Sequence, residues 1–228
     1  MSTYGEGDTT EIKAYRQFLG YFVPEFAEQG RLGVEWEQLP LDGSNRIVPY
    51  EGEAGIEALL DRVGGRHDAV LEEGRTSALR LLGGGTVGLE PGGQLEIASP
   101  PLGNLNTLFR FLARTFKELD GPARAMGFRL APWGGAPHTE PEDVPDVPKA
   151  RYRLLRAHLE QAGPRGRRMM KLTAATQICI DYDSERDMAR KVGALLRILP
   201  YLVAYTAHSP VSGGRRTRWL TQRPWIWR

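Results

Sequence analysis

The stretch LEPGGQLEIASPPL, residues 89–102, constrains the fold more than any other part of the sequence. Glu90 and Glu96 flank a Pro-Gly-Gly turn, and Glu96 lies in an apolar run that is typical of a strand. A solvated turn accounts for one glutamate, but it does not account for a carboxylate inside an apolar run. Because a buried carboxylate needs a positive partner, the stretch predicts a strand-flanked turn whose carboxylates face a positive species.

A second pair of glutamates lies in LGVEWEQ, residues 32–38. Glu35 and Glu37 are two residues apart, so on a strand their side chains share one face. If both pairs met on one sheet face, the four carboxylates would repel each other and raise each other's pKa, and divalent cations would remove that cost. Mg²⁺ prefers oxygen ligands and keeps positions for water and phosphate oxygens. The alternative is that these are exposed glutamates on an ordinary half-buried sheet.

Several helices and one further strand follow from hydrophobic periodicity. The helix signal is strongest over residues 104–127, where the apolar stripe consists of Leu105, Leu108, Phe109, Leu112, Phe116 and Leu119. Ser184 is a predicted N-cap, and Pro200 predicts either a kink in the helix that follows or its division into two helices. Residues 131–148 are proline-rich and predict a long loop, and Cys179 is expected to pack in a buried strand.

The composition is that of an ordinary globular chain. Its 228 residues are 41% hydrophobic and 25% charged, which fits one domain over residues 1–228. The net charge of +2 gives no reason to expect nucleic-acid binding, and no apolar run is long enough to predict a membrane span. One cysteine and a polar, acidic start without secretory character favour a reducing, cytoplasmic location.

Arginine is frequent in the second half of the chain, and its planar fork suits phosphate and carboxylate. The ordinary explanation for most of these arginines is that they lie on the solvated surface. The histidines show no metal-ligand spacing.

Several motifs in order resemble the glutamate–cysteine ligase family, in its plant and proteobacterial branch and its actinobacterial relatives. They are GGTVGLEPGGQLEIASPPL, DVPDVPKARYRLL, GRRMMKLTAATQICIDYDSERDMARKV, LPYLVAYTAHSPVSGG and the final RPWIW. LGVEWEQ is similar to the family's first acidic strand, so the resemblance extends over Gly33–Trp227.

The resemblance implies a glutamine-synthetase-like fold of the α/β (α+β) class, with a curved, mainly antiparallel sheet and outer helices. It implies an ATP- and Mg²⁺-dependent ligase that joins the γ-carboxylate of glutamate to the amine of cysteine through an acyl phosphate. The implied metal ligands are Glu35, Glu37, Glu90 and Glu96. Arg151 and Arg223 would act catalytically, in one cavity, by binding phosphate or substrate carboxylate, and Lys149, Gln94 and Gln177 would bind the nucleotide.

The sequence departs from the family pattern at Trp36, Gln38, Leu172, Cys179 and His208. These departures leave two alternatives open, a non-catalytic or regulatory homologue and a γ-glutamyl ligase with another amine acceptor. Family members usually continue well beyond the position of Arg228, so we expect an incomplete catalytic domain with an open sheet edge. Trp219, Trp225 and Trp227 would then be exposed, and a homodimer would cover the open side.

Overall fold

The fold is built around an antiparallel sheet. The structure, a computed structural model, describes residues 11–20, 30–163 and 165–227. The strands of the sheet are β1 (Leu32–Leu41), β2 (Asp68–Glu72), β3 (Arg75–Arg80), β4 (Thr86–Leu89), β5 (Leu95–Ala98), β6 (Arg129–Ala131) and β7 (Thr176–Ile180). Their order is β2-β3-β4-β5-β1-β6, and β7 also pairs with β1. All of these pairings are antiparallel, which confirms the predicted mixed α/β class with a mainly antiparallel sheet.

Seven helices and a short ribbon complete the described residues. The helices are α1 (Tyr15–Gly20), α2 (Ile56–Gly64), α3 (Leu105–Ala125), α4 (Ala150–Ala162), α5 (Gly166–Leu172), α6 (Glu185–Tyr205) and α7 (Arg223–Ile226). Strands β8 (Val211–Ser212) and β9 (Arg215–Arg216) form the ribbon. The proline-rich connection from β6 to α4 contains only a 3-10 turn, Pro141–Asp143, so the predicted long loop is present. No described helix combines the length and apolarity that a membrane crossing requires.

Strand β1 pairs with three other strands, β5, β6 and β7, and fixes the position of the acidic residues. Residues 35–38 of β1 pair with β5, so Glu37 lies opposite Glu96. On its other edge β1 pairs with β7, and Glu35 lies opposite Gln177. Since opposed residues and residues two apart on a strand share a face, these four polar side chains lie on one face of the sheet.

The opposite face of the sheet is covered by α2 and α3. Ile56, Leu59, Leu60 and Val63 of α2 are buried, and they pack with Leu95, Ile97 and Val87 of the sheet. Asn104 caps α3 by accepting from the backbone N–H groups of Asn106 and Thr107. The apolar stripe predicted for α3 is only partly correct, because Leu108 and Leu119 are buried whereas Leu105 and Phe109 are exposed. The exposed pair lies in the first turns, away from the cluster that the rest of α3 covers.

The C-terminal part of the fold is packed differently. Ser184 caps α6 by accepting from the N–H of Asp187, as predicted, and α6 runs through Pro200 as one helix, so the two-helix alternative is wrong. The expectation that Cys179 packs in a buried strand is also wrong, since all five residues of β7 are exposed. Strand β7 lies beyond the part of the sheet that α2 and α3 cover, so within the described chain no second layer encloses it.

Candidate active site

The four glutamates predicted as metal ligands surround one cleft. Glu35 and Glu37 extend from β1 and Glu96 from β5, while Glu90 begins the turn between β4 and β5. That turn is closed by hydrogen bonds from Glu90 N–H to the Gln94 carbonyl, 2.9 Å, and from Gly93 N–H to the Glu90 carbonyl, 2.8 Å. Gly93 has φ of +82°, a left-handed conformation that glycine adopts at low cost.

The cleft consists of three neighbouring cavities that share wall residues. The first, about 460 Å³, is lined by Glu35, Glu90, Glu96, Arg151, Tyr152, Leu155 and Gln177. The second, about 410 Å³, shares Glu90 and Gln177 with the first, and adds Glu37, Gln94 and Arg223. The third, about 240 Å³, shares Glu37 and Arg223 with the second. All the predicted site residues other than Lys149 therefore line this continuous cleft.

Burial and mutual repulsion raise the pKa of three of these carboxylates. Burial raises the pKa of Glu37 to about 7; Glu90 adds to this shift, and the N–H of Ala175 and the guanidinium of Arg223 oppose it. Glu96 also has a pKa raised to about 7, by burial and then by the charges of Glu90, Glu35 and Glu37. Burial raises the pKa of Glu90 as well, although Arg151 and Lys149 oppose the shift. A cation in the cleft would favour the ionised form of each group.

The donor set fits Mg²⁺ only if the ion has ligands beyond the protein. Within the described ranges, no three His, Cys, Asp or Glu side chains form a group arranged to hold a metal ion. The carboxylates are instead distributed over three neighbouring cavities of the cleft. Protein-bound Mg²⁺ commonly takes one or two carboxylates and completes its shell with water and phosphate oxygens. The arrangement is therefore consistent with ions bound together with a phosphorylated ligand.

One backbone N–H and one side chain donate to the Glu37 carboxylate on the β7 side. The Oε2 atom of Glu37 accepts from the N–H of Ala175 at 2.8 Å. The Oε1 atom of Glu37 accepts from Nε2 of Gln177 at 3.4 Å, which places the Gln177 amide inside the cleft. The nucleotide contact expected of Gln177 stays a prediction.

The two arginines lie at different ends of the cleft rather than in one cavity. Arg151 lines the first cavity, donates to the Tyr152 hydroxyl at 2.8 Å, and places its guanidinium carbon 4.7 Å from the centroid of that ring. Arg223 lines the second and third cavities and donates to the carbonyl of Ala174 at 2.9 Å. Burial lowers the pKa of Arg223, and Glu37 opposes that shift.

Lys149 and Gln94 contact the protein backbone beside the cleft. Lys149 is fully buried and donates from Nζ to the Leu89 carbonyl at 3.1 Å, and burial lowers its pKa to about 8. Gln94 accepts from the N–H of Gly92 and donates to the carbonyls of Met170 and Thr173. These contacts support the turn that carries Glu90. The direct nucleotide contacts expected of both residues stay predictions.

Sequence reasoning missed Tyr152 as a site residue. Its ring lines the first cavity and its hydroxyl contacts both Arg151 and the Leu89 carbonyl. The signal was present in the motif PKARY, where Tyr152 directly follows Arg151. The proline-rich loop also contributes, since Pro132, Trp133 and Gly134 line the third cavity.

The departures from the family pattern fall in different places. Trp36 and His208 both line the third cavity. Leu172 and Gln38 are buried, Leu172 within the second hydrophobic cluster, and Cys179 lies exposed on β7. Only the first two therefore border the cleft directly.

Comparison with known proteins agrees with this site. A family model described as Glutamate-cysteine ligase family 2 (GCS2) matches residues 31–228. The chloroplastic glutamate–cysteine ligases of Medicago truncatula and Nicotiana tabacum are each 32% identical over 203 residues, which is 88% of this chain but only 39% and 38% of those proteins. The Arabidopsis thaliana protein of the same name is 31% identical over 199 residues, 86% of this chain and 38% of that protein.

This chain thus spans about two fifths of the length of the curated relatives that it matches. The family match nevertheless covers every strand of the main sheet and every predicted site residue. The chain belongs to glutamate-cysteine ligase family 2, and its mixed α/β fold is of the glutamine-synthetase-like class of that family.

Proposed function

We propose that this chain supplies the carboxylate-lined cleft of an ATP- and Mg²⁺-dependent ligase that joins the γ-carboxylate of glutamate to the amine of cysteine. The observation that supports this most directly is the convergence of Glu35, Glu37, Glu90 and Glu96 on one cleft with an arginine toward each end. Family membership supports the ligase class.

The reaction needs charge neutralisation and positioning more than a protein nucleophile. A γ-carboxylate oxygen of glutamate attacks the γ-phosphorus of ATP, ADP leaves, and an acyl phosphate forms. The amine then attacks the acyl carbon, phosphate leaves, and the nitrogen loses a proton as the amide forms. Bound Mg²⁺ supplies charge neutralisation at the phosphoryl oxygens.

The residues of the cleft divide between these tasks in our proposal. Glu35, Glu37, Glu90 and Glu96 hold the ions, which explains why burial of several carboxylates is tolerated. Arg151 in the first cavity and Arg223 between the second and third bind phosphate or a substrate carboxylate through paired hydrogen bonds. Gln177 contacts the nucleotide beside Glu37.

A ligase with a different amine acceptor is the second candidate, and one observation favours it. Trp36 and His208, two of the departures from the family pattern, both line the third cavity beside Glu37 and Arg223. If the acceptor amine occupies that cavity, the changes alter the walls it contacts. The catalytic groups of the first and second cavities would remain the same.

The test is phosphate release that depends on both glutamate and an amine. The wild-type protein is assayed with ATP and Mg²⁺, with glutamate present or absent, and with cysteine or a series of other small amines. We expect phosphate release only when glutamate and an amine are both present. Preference for another amine would support the second candidate, and Mg²⁺-dependent ATP binding without release would indicate a non-catalytic homologue.

Glu90→Gln tests the metal role, with Glu118→Gln as the control. Glu118 is a partly buried carboxylate that faces His67 on the other side of the molecule. A neutral amide cannot balance a cation, so Glu90→Gln should weaken Mg²⁺-dependent nucleotide binding by on the order of tenfold or more, about 1.4 kcal/mol or more. Equal nucleotide affinity in wild type and Glu90→Gln would contradict the proposed role of Glu90.

A further inference from the structure

Two buried donors from one segment meet at a single carbonyl oxygen. Lys149 Nζ lies 3.1 Å from the Leu89 carbonyl oxygen, and the Tyr152 hydroxyl lies 2.5 Å from the same atom. Lys149 is fully buried and Tyr152 is 5% exposed. Leu89 is the last residue of β4, and the next residue is Glu90. The two donors therefore hold the backbone at the point where the chain turns Glu90 into the cleft.

The turn after Leu89 is also held on its other sides. The Gln94 side chain connects the N–H of Gly92 to the carbonyls of Met170 and Thr173. A Cβ atom at Gly92 would collide with the backbone of Lys171, and one at Gly93 would collide with the side chain of Ile56. The turn is thus packed between α5 and α2. Its contacts with the α4 segment include the two donors on Leu89 and a weaker bond from the Val147 N–H to the Pro91 carbonyl.

The Tyr152 hydroxyl has a second partner inside the cleft. It accepts from the guanidinium of Arg151 at 2.8 Å while it donates to Leu89. One oxygen atom therefore connects the side chain of Arg151 to the strand end that carries Glu90. Both Arg151 and Glu90 line the first cavity.

We propose that Tyr152 is a positioning residue, assisted by Lys149, that holds Glu90 and Arg151 at a fixed separation across the first cavity. This proposal rests on the proposed function in so far as Glu90 and Arg151 act on a metal-bound phosphate there. In this proposal the Lys149 ammonium binds the Leu89 carbonyl. The lysine therefore affects nucleotide binding indirectly, by holding Glu90 in position. Because Tyr152 contacts both Arg151 and the strand end that precedes Glu90, its hydroxyl is needed to keep these two side chains at that separation.

Tyr152→Phe is the first variant, and Tyr50→Phe is its matched control. Tyr50 is also buried, and its hydroxyl donates to a strand carbonyl, that of Thr76, at 2.8 Å. Both variants lose one hydroxyl and one such bond, but only Tyr152 is next to the cleft. Amide hydrogen exchange of Glu90 and Gly93 is measured together with the Mg²⁺ concentration at half-maximal ATP binding.

We expect Tyr152→Phe to speed exchange of the Gly93 amide roughly three- to tenfold, as the loss of one hydrogen bond predicts, while amides of the β4–β5 ladder keep their protection. The Mg²⁺ concentration for half-maximal ATP binding should rise roughly tenfold. Tyr50→Phe should change neither value. Unchanged exchange at the turn in Tyr152→Phe would overturn the proposal.

Lys149→Met separates positioning from charge. If the lysine acts by position, its removal loosens the turn and weakens Mg²⁺-dependent binding, as in Tyr152→Phe. If it acts only as a cation that competes with Mg²⁺, its removal strengthens Mg²⁺ binding and leaves the turn protected, which would contradict its part in the proposal. A wild-type protein that fails to bind Mg²⁺ and ATP would refute the proposed function, while the exchange measurement would still decide the positioning role.

Discussion

Helices α3 and α6 have the same length and the same terminal design, yet they differ in burial. Each has 21 residues, an N-cap side chain that accepts from the first turn, and an internal proline. Helix α3 buries Leu108, Leu119 and Ala123, whereas the one buried residue among those described in α6 is Asp187. The large apolar side chains that α6 exposes are Met188, Val192, Leu195, Leu196, Ile198, Leu199, Tyr201, Leu202, Val203 and Tyr205.

The difference shows that an amphipathic pattern specifies a helix but does not specify its partner. Helix α3 packs against α2, β5 and β6. Ser184 caps helix α6, and Lys191 contacts both Asp187 and the Asp181 carbonyl, so the N-terminus of α6 is fixed. The large apolar side chains along the rest of α6 are nevertheless left exposed by the described residues. Most helical stability in proteins comes from packing of the apolar face, and large exposed apolar patches mark interaction surfaces.

Truncation of one leucine in each helix should give the largest contrast. Leu119 is 1% exposed and Leu199 is 51% exposed. Leu119→Ala removes buried methyl groups and leaves a cavity, so it should lower the free energy of unfolding by about 2–5 kcal/mol. Leu199→Ala should lower it by less than about 1 kcal/mol in the monomer. Urea unfolding of both variants at low protein concentration measures this, and equal losses would show that α6 is packed in solution.

The sequence predicted the convergence of the four glutamates better than it predicted the layers around them. Glu35 and Glu37 share a face because the strand period is two, and the Pro-Gly-Gly turn brings Glu90 close to Glu96. These are local rules. The register that places Glu37 opposite Glu96 joins strands far apart in sequence, and only the structure gives it.

Burial of β7 and the direction of the buried side chains could not be predicted. Cys179 lies in an apolar strand, and whether such a strand is buried depends on whether another layer covers it. The resemblance to the ligase family implied nucleotide contacts for Lys149 and Gln94. Their observed partners are backbone carbonyls and an N–H group, which are identical at every position of a sequence and so carry no sequence signal.

The acidic cleft and helix α6 also differ in how their contributions to stability depend on pH. The folded-state pKa values of Glu37 and Glu96 are raised to about 7, above the ordinary value of 4.5. Their contribution to stability is therefore fully present below about pH 4.5 and is lost as pH rises through 7, so the metal-free protein should lose about 1–3 kcal/mol of unfolding free energy over that window. Asp187 in α6 has a lowered pKa, first because of its bond to Lys191, and its contribution is lost as pH falls below its ordinary pKa.

Urea unfolding with chelator at several pH values measures this slope. Glu96→Gln should flatten the decline between about pH 4.5 and 7, and added Mg²⁺ should oppose it, since a cation favours the ionised carboxylates. A metal-free protein whose stability rises across that window would contradict the raised pKa values.

The third test asks whether the predicted homodimer forms over the open side of the sheet, and whether its interface includes the exposed face of α6. Trp219 and Trp225 are each 45% exposed and Trp227 is 63% exposed, in agreement with the expectation that they are uncovered. Light scattering and tryptophan fluorescence over a dilution series should show reversible dissociation. Leu199→Lys should raise the dissociation constant about tenfold or more, equivalent to about 1.4 kcal/mol.

Leu154→Lys is the control for that test. Leu154 is 76% exposed on α4, outside the α6 surface, so its replacement should leave the dissociation constant unchanged. A protein that stays monomeric at every concentration would rule out the homodimer.

The smallest expected effect concerns Arg223, one of the residues through which the C-terminal segment lines the cleft. Arg223 begins α7, lines the second and third cavities, and donates to the Ala174 carbonyl. Arg165 is the matched control, because it donates to the carbonyl of Trp225 at 2.7 Å but does not line any of the three cavities of the cleft. Lysine keeps the charge and loses the planar fork, so Arg223→Lys should weaken binding of a phosphate or carboxylate ligand severalfold, about 1 kcal/mol. Arg165→Lys should leave that affinity unchanged, as expected of a surface contact.

Calorimetric titration with Mg²⁺-ATP and with glutamate measures both affinities. Equal affinity in the two variants would mean that the C-terminal segment borders the cleft without binding the ligand. The C-terminal region would then differ from the packed part of the molecule in ligand binding as well as in burial.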